Sequence, residues 1–267
     1  REKGLFELVE AARMLADRGA KAEFLIAGDL YDVSERSLAT RMHLRKSFER
    51  LRDEGIAVYL AAGNHDNLEE TQRIGELPDN VHVFSHERAE TFLWPEDNPR
   101  AAITGMSYGQ RRVLENLALA FPPPETDLLN IAVLHCNLDG RSGHDDYAPC
   151  TREELARTGH RYWALGHVHD RIAHESGGAI IAYPGCLQGR KLRETGPRGA
   201  LVVSIDEDGR AIPRFEPLNR IEWVEHEIDV SECETDEQLT ARLADELTGL
   251  GGDSSRLEGL IAGLRLT

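Results

Sequence analysis

Two polar clusters in the first quarter of this chain each follow on a short apolar run. Gly28-Asp29-Leu30-Tyr31-Asp32 follows Phe24-Leu25-Ile26-Ala27, and Gly63-Asn64-His65-Asp66 follows Val58-Tyr59-Leu60-Ala61. Two more occur further on: His135-Cys136-Asn137 after Ile131-Ala132-Val133-Leu134, and Gly166-His167-Val168-His169 after Tyr162-Trp163-Ala164-Leu165. Runs this short and this continuously apolar suit strands covered on both faces. If the four strands share a sheet and a direction, their loops meet at one edge, where open α/β sheets build their sites. Glycines 28, 63 and 166 let the chain turn sharply at that edge.

The intervening sequence supports this arrangement. Leu5, Phe6, Leu8, Val9, Ala12 and Leu15 share one helical face, and Leu38, Met42, Leu44, Phe48 and Leu51 give a second helix over 36–52. Alternation of helix and strand predicts a parallel or mixed sheet with helices on it. Further strands are expected at 81–84, 101–104, 180–183, 201–205 and 212–216, with helices at 110–120 and 151–158. The expected fold is α/β: a two-sheet β-sandwich flanked by helices. After Leu218 the texture changes to a strand at 223–228, an amphipathic helix at 235–247 and a returning strand at 256–267. We read this as the start of a small α/β second domain, so that residues 1–218 form one domain and 219–267 part of another.

Composition narrows the function classes. The formal net charge of −16 argues against a protein that coats nucleic acid nonspecifically, but leaves room for an enzyme that handles phosphates with metals and a few local cations. Arg190, Lys191, Arg193 and Arg198 make such a basic island on the acidic chain and could meet a DNA backbone, the alternative being a solvated loop. No apolar run is long enough for a bilayer. The cysteines at 136, 150, 186 and 233 form no C-x-x-C pair, and ordinary thiols in a reducing cytoplasm are the simplest reading.

The donors in the clusters are a mixed nitrogen and oxygen set. Asp29 offers two oxygens and can bridge two cations, Asn64 offers a neutral carbonyl, and His135, His167 and His169 offer imidazoles. Such a set suits manganese, iron or zinc better than magnesium or calcium. Two cations sharing a carboxylate would lie about 3.5–4 Å apart and could hold a hydroxide for attack on phosphorus. His65 is expected to protonate or steady the leaving oxygen, with Asp66 or Asp32 orienting its ring. Singly, each cluster is ordinary turn chemistry; four in this order, each after a strand, are not. Histidines 82, 86, 144, 160, 174 and 226 are assigned to surface or packing, with His144 on a loop that could face substrate.

The order G-D-x-x-D, G-N-H-D, lone His, G-H-x-H resembles the calcineurin-like metallophosphoesterase superfamily over about residues 23–217. That resemblance implies that Asp29 bridges both metals, that Asn64, His135 and His167 complete the second metal's shell, that His169 serves the first, and that His65 is the catalytic histidine. The family's opening D-x-H is absent upstream of Asp29, and we expect it, with the first strand, ahead of Arg1. The stretch Tyr183-Pro184-Gly185-Cys186-Leu187-Gln188-Gly189-Arg190, followed by Arg193-Glu194-Thr195-Gly196-Pro197-Arg198-Gly199, resembles the SbcD/YhaO-type DNA repair exonucleases. That subgroup implies manganese-dependent cleavage of DNA phosphodiesters, a small capping domain after the catalytic one and, in SbcD itself, a coiled-coil ATPase partner of the SbcC kind. A homodimer stays open. The competing readings are a small-molecule phosphodiesterase or phosphatase on the same two metals, and a noncatalytic scaffold.

Overall fold

The computed structural model describes residues 23–30, 37–68, 75–124, 128–206, 208–250 and 257–267. The helix expected from Leu5 to Leu15, and Asp32, lie outside the described residues.

A three-stranded parallel sheet is built from β1 (Phe24–Ala27), β2 (Val58–Ala61) and β3 (Val81–Val83), in that order. Helix α1 (Leu38–Asp53) connects β1 to β2, and the Ser37 side chain caps its start by accepting from the Thr40 amide. Strand parity decides what each face covers. Phe24, Ile26, Val58 and Leu60 pack with Leu44, Phe48 and Leu51 of α1. Leu25, Ala27, Tyr59 and Ala61 face the opposite way, into a core shared with a second sheet.

That second sheet has six strands in the order β4-β5-β6-β7-β9-β8: β4 (Glu90–Trp94), β5 (Ala101–Met106), β6 (Leu129–His135), β7 (Tyr162–Gly166), β8 (Ile172–Ser176) and β9 (Ala179–Tyr183). Its four inner strands run parallel and its two edges antiparallel. Ile131 and Val133 of β6 point into the inter-sheet core, whereas Ala132, Leu134, Trp163 and Leu165 face the outer layer with Tyr108, Phe121 and Leu155. β1 lies over β6 and β7, and β2 over β5 and β6. The two-sheet sandwich expected from the sequence is therefore the fold. The parity of β6 carries one step further: His135, two residues beyond Val133, emerges at the carboxyl end of the inter-sheet layer, between the loops that leave β1 and β2.

Helix α2 (Arg152–Arg157) begins on a capping box in which Thr151 Oγ1 accepts from the Glu154 amide and Glu154 accepts from the Thr151 amide. The helix expected at 110–120 is not formed. Only a 3-10 turn over Leu117–Ala120, capped by Asn116, appears there. The Val113 carbonyl instead accepts from the Ala148 amide, so that this segment serves as an extended tie between loops.

Beyond β9, β10 (Gly199–Ile205) and β11 (Ala211–Pro217) make an antiparallel pair. β12 (Ile221–Ile228), α3 (Asp236–Leu250) and β13 (Gly259–Leu266) then make a strand-helix-strand unit with the two strands parallel. No helix among the described residues is long and apolar enough to cross a membrane.

His160 gives the outer layer a pH signature. It is 2% exposed, stacks edge-on to Phe121 and Trp163, and pairs its Nδ1 with Thr158 Oγ1. Burial lowers its pKa from the ordinary 6.5 to about 4. Above pH 6.5 the ring is neutral whether folded or unfolded, and stability is intact. As pH falls from 6.5 towards 4 the unfolded chain takes up a proton that the folded one refuses, and about 3 kcal/mol of stability drains away. Chemical denaturation across that window should show a shallower pH slope for His160→Gln than for the wild type; parallel slopes would contradict the assignment.

Candidate metal centre

Backbone approach makes the centre. Gly28 adopts a φ of +82°, and a Cβ there would run into His135 Nδ1. A Cβ on Gly166 would run into the Ala27 carbonyl oxygen, so only glycine lets β7 end against β1. Asp29 itself has a φ of 56° and His167 a φ of 100°, the left-handed region that non-glycine residues occupy at a cost of order 1–3 kcal/mol. Strain of this kind persists where surrounding contacts enforce it. Asp66, fully buried, supplies them: Oδ1 accepts from the Asp29 amide at 3.0 Å and the Gly63 amide at 2.9 Å, and Oδ2 from the Leu30 amide at 2.5 Å. These contacts make Asp66 a clamp between the first two loops. Burial raises its pKa, the neighbouring Asp29 charge adds to that, and the Gly63 and Leu30 amides oppose it.

His135 is 0% exposed, and its two nitrogens have unequal partners. Nδ1 lies 2.8 Å from the Ala27 carbonyl oxygen. A carbonyl only accepts, so Nδ1 carries the proton. Burial lowers the His135 pKa and holds the ring neutral, which leaves a lone pair on Nε2. Nε2 faces Asn64 Oδ1 at 2.8 Å and Asp29 Oδ1 at 3.7 Å. The bare Nε2 thus faces two oxygen acceptors. An imidazole nitrogen, an amide oxygen and a carboxylate oxygen at one corner are a donor set that fits a divalent cation. Asp29 Oδ1 also accepts from the His65 amide at 3.1 Å, which joins the first two loops at the same corner.

The third and fourth loops complete the cluster. The His167 ring sits edge-on to His135 with centroids 5.1 Å apart, and its Nε2 donates to the Asp145 carbonyl at 2.7 Å. Burial lowers its pKa as well. His144 contacts both His167 and His169, at 5.5 and 6.0 Å between centroids, so its loop belongs to the centre. His169 pairs Nδ1 with Glu194 Oε1 at 2.8 Å, and its own carbonyl accepts from the Cys186 amide and from Arg198 Nη1 at 2.6 Å. A carboxylate behind a ligand histidine orients the ring and raises its basicity.

Glu194 lies in a charged stretch of the sequence and carries no local signal of a role at the site. It is 5% exposed. Burial pushes its pKa up, but the His169 hydrogen bond and the Arg190 and Lys191 amides outweigh that and bring it down to about 2. The basic island needs a correction at its last member. Arg198 is buried, its guanidinium spent on the His169 and Thr195 carbonyls and on Asp170, so it is a brace for the fourth loop rather than a cation offered to DNA. Arg190, Lys191 and Arg193 are exposed.

Loops at the carboxyl ends of parallel strands thus bring a carboxylate, an amide oxygen and imidazoles to one edge of the sandwich, a donor set of the kind that metal-dependent phosphoesterases use. The chain belongs to the calcineurin-like phosphoesterase family, whose model matches residues 2–171 and so takes in all four clusters. The family generally uses a dimetal centre. The metallophosphoesterase YhaO of Bacillus subtilis is 37% identical over 227 residues, which is 85% of this chain and 55% of that protein. The DNA double-strand break repair protein Mre11 of Methanopyrus kandleri is 23% identical over 270 residues, 91% of this chain and 58% of its own. A solved dimetal phosphatase from Danio rerio superposes with a TM-score of 0.49 at 12% identity, over 78% of this chain and 88% of its own, a likeness too loose to bear on function. The chain spans about half the length of the curated relatives it matches.

Gly28→Ala should displace the His135 ring while leaving both sheets in place. Metal titration followed by calorimetry should show affinity lowered about tenfold or more, with the far-ultraviolet circular dichroism retained; unchanged affinity would contradict the geometry.

Proposed function

We propose that this chain carries the catalytic part of a DNA nuclease, an exo- or endonuclease of a repair pathway, that cleaves phosphodiesters with two divalent cations, manganese being the preferred metal. The convergence of His135 Nε2, Asn64 Oδ1 and Asp29 Oδ1 carries the reading, since one cation could be held by all three. Bound metal would supply charge neutralisation at the phosphoryl oxygens and an activated water. Asp29, Asn64, His135, His167 and His169 would hold it. His65 follows the ligand Asn64 and is tied to Asp29 by its own amide, which suits it to give a proton to the leaving oxygen or steady the charge there. Glu194 orients His169, and Asp66 keeps the first two loops in register.

The preference for DNA rests on charge and kinship. Arg190 and Lys191 donate their amides to the carboxylate that holds His169, so exposed cations border the centre on an otherwise acidic chain. Such cations would track a phosphate backbone. One relative is named as a DNA double-strand break repair protein. On this reading the strand-helix-strand unit from Ile221 to Leu266 would begin a capping domain, and the corresponding partner would be an ATPase of the SbcC kind.

Two measurements test this. His65→Ala should lower turnover by about 10²–10⁴-fold with metal content unchanged, whereas Asp29→Ala should lose metal; equal metal loss in both would overturn the roles. With manganese present, the chain should digest a linear duplex, and reversing Arg190, Lys191 and Arg193 to Glu should weaken DNA cleavage while sparing a chromogenic phosphodiester. Cleavage of the small ester with none of DNA would replace the nuclease by a small-molecule phosphodiesterase.

A further inference from the structure

Beside the centre lies a second ligand set that contains sulfur. A ring nitrogen of His169, the Cys186 sulfur and a Glu194 carboxylate oxygen all lie within 4.8 Å of one another. The ions expected at the centre need no thiol, so the sulfur is surplus to that chemistry. We propose that His169, Cys186 and Glu194 form a thiolate site that captures zinc, distinct in ligand chemistry from the dimetal centre and sharing only His169 with it.

The geometry is close to what zinc requires. Ligand atoms around a tetrahedral zinc are separated by about 3.5 Å, given bonds of about 2.0–2.3 Å. His169 Nδ1 and Glu194 Oε1 are already 2.8 Å apart, so a modest widening admits the ion. Glu194 Oε2 keeps its amide bonds from Arg190 and Lys191 throughout, because only Oε1 faces His169. The Cys186 amide donates to the His169 carbonyl, which fixes the two residues side by side. Solvent reaches the site, since the His169 side chain is 38% exposed, and a fourth position stays open for water. Thiolate selects zinc over manganese, and that separates this set from the sulfur-free centre of imidazoles and oxygens. Binding releases the Cys186 thiol proton to the buffer, and the His169 proton passes from Nδ1 to Nε2 as Nδ1 becomes the ligand. An ion held here therefore withdraws His169 from the neighbouring centre.

Cobalt(II) in place of zinc reports the sulfur directly, because a thiolate-cobalt bond gives a near-ultraviolet charge-transfer band that nitrogen and oxygen ligands do not. Titrating the full chain with cobalt chloride should raise that band, zinc should abolish it, and manganese should not. Cys186→Ser should remove the band and lower zinc affinity at least about tenfold, while Glu194→Gln should weaken it. Absence of a thiolate band in the wild type, or its persistence in Cys186→Ser, would overturn the proposal. Because the dimetal centre holds no sulfur, loss of catalytic activity without loss of the band would count against the nuclease reading and not against this one.

Discussion

The site depends on one buried imidazole being used from both sides. His135 donates from Nδ1 to the last carbonyl of β1 and turns Nε2 on the amide oxygen of the loop after β2, while its own backbone ends β6. The first bond fixes which nitrogen is bare. The second places that bare nitrogen against other acceptors. Neither sheet alone could do this, since β1 and β2 belong to one and β6 to the other. Sandwich and centre are thus one construction: the inter-sheet core holds the ring that makes the ligand pocket.

The polar contacts behind the centre divide the labour. Asp66 is spent on main-chain amides, which stabilises the left-handed turn at Asp29 and brings the first two loops together. Glu194 reads the fourth loop through His169 and anchors the basic segment through the amides of Arg190 and Lys191. Charge on that segment and orientation of a ligand are therefore mechanically joined. Exposed Arg190 and Lys191 thus stand beside His169 on a chain of net charge −16.

Most of the sandwich was legible because doubly covered parallel strands write themselves as unbroken apolar runs. The parity of Ile131, Val133 and His135 is visible in the sequence, and so is the placement of each cluster after a run. The edges were not legible. β4 and β8 are half-buried and interleave polar residues, so they lack a continuous run. The segment 110–120 carries scattered apolar residues whose covering comes from distant loops rather than from a helical face, and no local pattern reports that. Arg198 and Glu194 mark the same limit within the site. Both sit in a charged stretch that looks solvated, and only the fold buries them against His169.

The central claim is that a cation belongs between the acceptors of the first three loops. Anomalous scattering from crystals equilibrated with manganese tests it most directly. The account predicts a peak within about 2.0–2.3 Å of His135 Nε2 and the Asn64 and Asp29 side-chain oxygens. A fully occupied crystal with no peak there, or with manganese bound only elsewhere, would contradict it.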